Sequence, residues 1–127
     1  MPKKKIFVAD DQEEVLSMLK ELLTSKGYEV MASKEAEQLV KLIKGFKPNL
    51  ILLDLLMPNL DGFEICRMLN EDREAQSIPI IIMSGLSDQV DIKRAYELGV
   101  VDYLIKPFDL NKVVTQIEKA IANKETQ

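Results

Sequence analysis

Three stretches of this chain, Ile6-Phe7-Val8-Ala9, Leu50-Ile51-Leu52-Leu53 and Ile80-Ile81-Ile82-Met83, are apolar at every position. Side chains on a strand alternate between its faces, so an unbroken apolar run belongs where both faces are covered, as helices cover a parallel sheet. Two further runs fit edge strands: Tyr28 to Ala32, interrupted by Glu29, and the short Tyr103 to Ile105. Between and after these runs the apolar residues change period. Val15, Leu16, Leu19, Leu22 and Leu23 recur at helical spacing, as do Ala36, Leu39, Val40 and Ile43, and then Leu110, Val113, Val114, Ile117 and Ile121. Phe63 to Leu69 and Val90 to Leu98 supply two shorter helices, while Gly27, Gly45 and Gly99 stand where helices stop. This alternation predicts an α/β protein built as a (βα)5 unit around a five-stranded parallel sheet.

Such a doubly wound sheet takes the order 2-1-3-4-5, the flavodoxin-like arrangement, and its working crevice lies beyond the carboxyl ends of the strands. The 127 residues suffice for one such domain, read as 1–123, with 124–127 a short tail and no output domain. Seventeen basic against twenty-one acidic residues leave no cationic surplus, so direct nucleic-acid binding is not expected. There is no histidine, which removes imidazole-based nucleophilic catalysis, imidazole metal sites and any phosphohistidine of the chain's own. Cys66 is the sole cysteine, so no internal disulfide or thiolate metal cluster forms. After Lys3-Lys4-Lys5 only four apolar residues precede Asp10-Asp11, too few for a signal peptide or a membrane span. A cytoplasmic setting without membrane attachment is expected.

Asp10-Asp11 follow the first strand, Asp54 ends the third, Ser84-Gly85 follow the fourth and Lys106-Pro107 the fifth. Each has an ordinary structural explanation. Asp11 with Glu14 fits a helix capping box, Asp54 a strand end, Ser84-Gly85 a turn and Lys106-Pro107 an extended corner. Their joint placement on one rim argues for more, because three gathered carboxylates raise one another's pKa unless a cation offsets them. Oxygen-only donors suit a hard divalent ion, and a site with few carboxylates suits Mg2+ better than a Ca2+ cage. With such an ion and the Lys106 ammonium nearby, one carboxylate becomes a workable nucleophile toward phosphorus.

The acidic pair, Asp54 with Met57-Pro58 and Asp61-Gly62, then Ser84, and Tyr103 ahead of Lys106-Pro107-Phe108, together resemble the receiver domain of bacterial two-component response regulators, of the chemotaxis-regulator kind. The resemblance spans nearly the whole chain. It implies a signalling switch rather than a conventional enzyme, catalysing only phosphotransfer to its own Asp54 and hydrolysis of that aspartyl phosphate. Asp11 and Asp54 would then bind Mg2+ (Mn2+ as a substitute) together with the Leu56 backbone carbonyl, with Asp10 acting through a water. Lys106 would pair with Asp54 and then with its phosphoryl group, to which Ser84 would donate its hydroxyl and Gly85 its backbone N–H. A cis Lys106-Pro107 bond is also implied.

The same resemblance implies that Ser84 moves inward and Tyr103 turns from exposed to buried, reshaping the surface of helix four, strand five and helix five. An edge-strand aromatic with no switching role is the plainer account of Tyr103. Implied partners are a sensor histidine kinase or histidine phosphotransfer protein as donor, and a downstream protein target or fused output domain. The domain would act as a monomer or a phosphorylation-dependent dimer. Two alternatives stand beside this reading: a phosphorylation-independent interaction module of the same fold, and a flavodoxin-like electron carrier, against which Asp10-Asp11 would repel a flavin phosphate. Leu56 and Leu86, each two residues beyond a rim residue, are bulky and apolar and are expected to slow hydrolytic water. Ser84 and Gly85 stand where threonine and alanine are commoner, and neither change is expected to abolish phosphorylation.

Overall fold

The computed structural model describes residues 2–35 and 37–126; Ala36, which the helical pattern includes, lies outside the described residues. The elements run β1 (Lys5–Ala9), α1 (Glu13–Ser25), β2 (Glu29–Ser33), α2 (Leu39–Phe46), β3 (Leu50–Asp54), α3 (Gly62–Glu71), β4 (Ile80–Ser84), α4 (Gln89–Glu97), β5 (Asp102–Ile105) and α5 (Leu110–Glu125). All strand pairs are parallel and the order is β2-β1-β3-β4-β5, as the alternation of periods predicts.

The unbroken apolar runs have a direct physical reason. Ile6, Val8, Leu50, Leu52, Ile81 and Met83 join one core with Leu19 and Leu23 of α1 and Val113 and Ile117 of α5. The alternate residues Phe7, Ala9, Ile51, Leu53, Ile80 and Ile82 join a second core with residues of α2, α3 and α4. The sheet is thus a wall between two apolar layers, and β1, β3 and β4 are buried on both faces. Cys66 lies in the second layer, where burial and, to a lesser degree, Asp61 push its thiol up to about 12. It is a protonated core side chain.

Helix ends depart from expectation in three places. The Asp11/Glu14 capping box does not form: the N-cap of α1 is Gln12, without a side-chain cap bond. Its backbone N–H instead donates to Asp10 Oδ1 at 2.9 Å, which fixes the entry to the helix from the strand side. Gly45 lies inside α2 rather than after it, and Lys47 takes the left-handed turn at φ 55°. Finally α5 continues to Glu125, two residues past the expected end near Asn123, with Glu125 held by an ion pair to Lys4. Gly27 and Gly99 do end helices, at φ 94° and 98°, where a side chain is strained. Aspartates cap three helices: Asp61, Asp88 and Asp109 accept first-turn N–H groups of α3, α4 and α5.

Candidate functional site

Strand register assembles the rim. Ala9 pairs with Leu53, so Asp10 and Asp54 leave adjacent strands side by side. Ser84 pairs with Ile105, and the next residue, Lys106, donates its backbone N–H to the Ser84 carbonyl at 2.8 Å. Asp10, Asp54, Ser84 and Lys106, widely separated in the chain, therefore meet at one end of the sheet.

The local chemistry repeats at each strand end. Asp10 Oδ1 accepts the Gln12 N–H at 2.9 Å, Asp54 Oδ1 accepts the Leu56 N–H at 2.9 Å, and Ser84 Oγ accepts the Leu86 N–H at 3.1 Å. Each is a side chain bonded to the backbone two residues on, which turns the chain sharply and fixes the side-chain oxygen without help from another element. The second oxygens of the two carboxylates converge on one cation. Lys106 Nζ lies 2.5 Å from Asp10 Oδ2 and 3.1 Å from Asp54 Oδ2. The Lys106–Pro107 peptide is cis.

Asp10 and Asp54 are buried, and Asp11 is the accessible member of the trio. Carboxylate oxygens of Asp10, Asp11 and Asp54 all lie within 4.8 Å of one another. Burial raises the Asp54 pKa; the Leu56 N–H and Lys106 pull against that, and Asp10 adds to it. For Lys106, burial favours the neutral amine, but the bonds and charges of Asp10 and Asp54 prevail and its pKa is raised. The ammonium therefore stays charged. Among the described residues Asp11 has no side-chain partner, so its oxygens are free to serve a ligand.

Tyr103 lies in the same core layer as α4, with its hydroxyl donating to the Leu86 carbonyl at 2.7 Å. Its side chain is buried, and burial raises its pKa. Leu56 projects outward, 52% exposed, whereas Leu86 packs partly against the core.

The residues that the sequence singles out, Asp10, Asp11, Asp54, Leu56, Ser84, Tyr103 and Lys106, all gather around this rim, but sequence reasoning did not find every contact there. It missed the part played by Gly62. A Cβ there would stand 2.6 Å from the Leu55 Cα, so the helix start and the residue after Asp54 touch backbone to backbone. The Asp61-Gly62 pair carried that signal as a cap followed by the one residue without a side chain. Gly85, in contrast, has open space where a Cβ would go.

Comparison with known proteins agrees with this geometry. The family described as "Response regulator receiver domain" matches residues 6–118. A probable transcriptional regulator ycf27 of Porphyridium aerugineum is 36% identical over 130 residues, covering 97% of this chain and 53% of the relative. The alkaline phosphatase synthesis transcriptional regulatory protein PhoP of Bacillus subtilis is 33% identical over 122 residues, covering 96% of this chain and 50% of the relative. The chain thus spans about half the length of these curated relatives. Among solved structures, the non-phosphorylated HemR receiver domain of Leptospira biflexa aligns with a TM-score of 0.86 at 26% identity, covering 94% of each chain. A response regulator receiver domain protein of Methanospirillum hungatei aligns at TM-score 0.92 over 98% of each chain; at 23% identity it speaks to the fold alone.

Proposed function

This chain belongs to the response regulator receiver domain family, and from that membership we propose that Asp54 is its phospho-acceptor in a two-component phosphorelay. The observation that carries the reading is the Asp54 carboxylate itself, held by the Leu56 N–H on one oxygen and by Lys106 on the other, beside a second buried aspartate. An Asp54 oxygen attacks the phosphorus of a partner's phosphohistidine, and the P–N bond breaks with its electron pair going to the imidazole nitrogen. The Lys106 ammonium offsets charge on the entering phosphoryl oxygens, and positioning does most of the rest. Ser84 already spends an acceptor site on Leu86, which leaves its hydroxyl hydrogen to donate to the phosphoryl group.

The all-oxygen donor set fits a hard divalent ion. Asp11, Asp54 and the Leu56 carbonyl would hold Mg2+, or Mn2+ in its place, with Asp10 contributing through a water. Bound there, the ion lowers the repulsion between the acidic rim and an incoming phosphoryl group. The donor is a histidine kinase or histidine phosphotransfer protein, and the readout is the surface of α4, β5 and α5, where Tyr103 and Leu86 are joined. That surface acts on a downstream protein or an output domain of the same protein, in the cytoplasm. No described helix is long and apolar enough to cross a membrane.

The test is incubation with acetyl phosphate and Mg2+ followed by intact-mass measurement. A gain of one phosphoryl group, absent in Asp54→Asn, is expected. No gain in the wild-type chain would overturn the proposal in favour of a phosphorylation-independent interaction module.

A further inference from the structure

Helix α4 is the most sparsely anchored helix of the fold, with Ala95 its only fully buried residue. Ile92 and Leu98 add partial contacts to the core layer. One further contact is of a different kind. The Arg94 guanidinium lies over the Phe63 ring, 4.1 Å from its centroid, within the range where a cation and an aromatic face attract. Phe63 is the second residue of α3 and is buried, and its backbone N–H is held by the Asp61 carboxylate at 3.0 Å.

The residue before it, Gly62, is the one that meets Leu55 backbone to backbone. Leu55 in turn sits between Asp54 and Leu56, whose N–H holds Asp54 Oδ1 at 2.9 Å. The contacts therefore run without a gap from Arg94 on α4, through the Phe63 ring and the Gly62–Leu55 contact, to the hydrogen bond that orients Asp54. Among the described residues the other cation over an aromatic ring is Lys5 over Phe46, which joins the start of β1 to the end of α2 and touches neither α4 nor the segment after Asp54.

We propose that Arg94 is a positioning residue: its stack on Phe63 pins α4 to the segment after Asp54, so that release of α4 loosens the Leu56 bond that aims the Asp54 carboxylate. This deepens the reading of Asp54 as phospho-acceptor and rests on it for its consequence, since α4 then both reports on Asp54 and sets how it is presented. A sparsely buried helix opens more readily than the rest of a domain, and a contact on its exposed side is a sensitive point of control.

The test is amide hydrogen exchange in the unphosphorylated chain for wild type, Arg94→Gln, Phe63→Leu, the double variant and Arg94→Lys. An exposed cation-π contact is of a strength that predicts exchange about two- to five-fold faster in each single variant. That rise is expected both in α4 and at the Leu56 amide. The double variant should be no faster than the larger single, and Arg94→Lys, which keeps a cation, should recover most of the protection. Phosphorylation of Arg94→Gln by acetyl phosphate should slow by a similar factor, again restored by lysine. Faster exchange in α4 with Leu56 unchanged, or additive single effects, would overturn the proposal. A chain that shows the exchange coupling yet takes up no phosphoryl group would instead refute the reading of Asp54, so the two failures are separable.

Discussion

Asp10, which has no exposed surface, is paired at 2.5 Å with Lys106, closer than the 3.1 Å that separates Lys106 from Asp54. The lysine thus neutralises the buried Asp10 charge as well as attending Asp54. Removing one partner of a buried pair strands the other, which typically costs about 3–5 kcal/mol. Lys106→Met should lose stability of that order in urea denaturation with EDTA present, and added Mg2+ should restore part of it. A loss below about 1 kcal/mol would show that the pair behaves like an exposed one.

Burial raises the Asp54 pKa in spite of Leu56 and Lys106. The sign follows from proton counting. Just above the unfolded value of 3.8 the native state retains a proton that the unfolded chain has lost, so stability falls as pH rises through the native pKa. At neutral pH the ionised carboxylate is then a net cost to the fold. Asp54→Asn should melt higher than wild type at pH 7, with the difference disappearing below about pH 4. An asparagine variant less stable than wild type at neutral pH would contradict this account.

The glycines beside the rim should respond oppositely to alanine. Gly62→Ala forces a methyl to 2.6 Å from the Leu55 Cα, and overpacking against backbone costs about 1–3 kcal/mol. The same change should slow acetyl-phosphate labelling, because Leu55 adjoins Asp54. Gly85→Ala meets open space, and both its melting temperature and its labelling should stay close to wild type.

Leu56 is half exposed two residues beyond Asp54, and on the proposed reading its side chain hinders hydrolytic water at an aspartyl phosphate. Leu56→Asn, which leaves the backbone bond to Asp54 Oδ1 in place, should shorten the phosphoform half-life several-fold. The decay of phosphorylated protein after donor removal measures it directly, and an unchanged half-life would remove the idea.

The fold was legible because period and position coincide in this chain. Ile6 to Ala9, Leu50 to Leu53 and Ile80 to Met83 are apolar at every position since neighbouring residues enter different cores. The rim followed from reading the ends of β1, β3, β4 and β5 and the residues directly after them. Contacts made by backbone or by residues of ordinary type were not legible. Glu14 three residues after Asp11 has the spacing of a capping box, but Asp10, one residue earlier, engages the Gln12 N–H instead. Gly45 resembles a helix stop because glycine tolerates left-handed backbone, yet Lys47 takes that turn. Nothing in the identities of Phe63 and Arg94, on different helices, announces that they stack.

Burial on both faces makes the central strands act as rulers. Deleting one residue from β3 would exchange the two sets of side chains between the layers, sending Ile51 and Leu53 where Leu50 and Leu52 now pack. It would also draw Asp54 back one place from the rim. Chain length within β1, β3 and β4 is therefore under tighter constraint than residue identity: Leu for Ile is a repacking problem, whereas a single-residue deletion scrambles both cores and, in β3, misplaces Asp54 at once. A deletion scan should find these three strands intolerant even where conservative substitution is accepted.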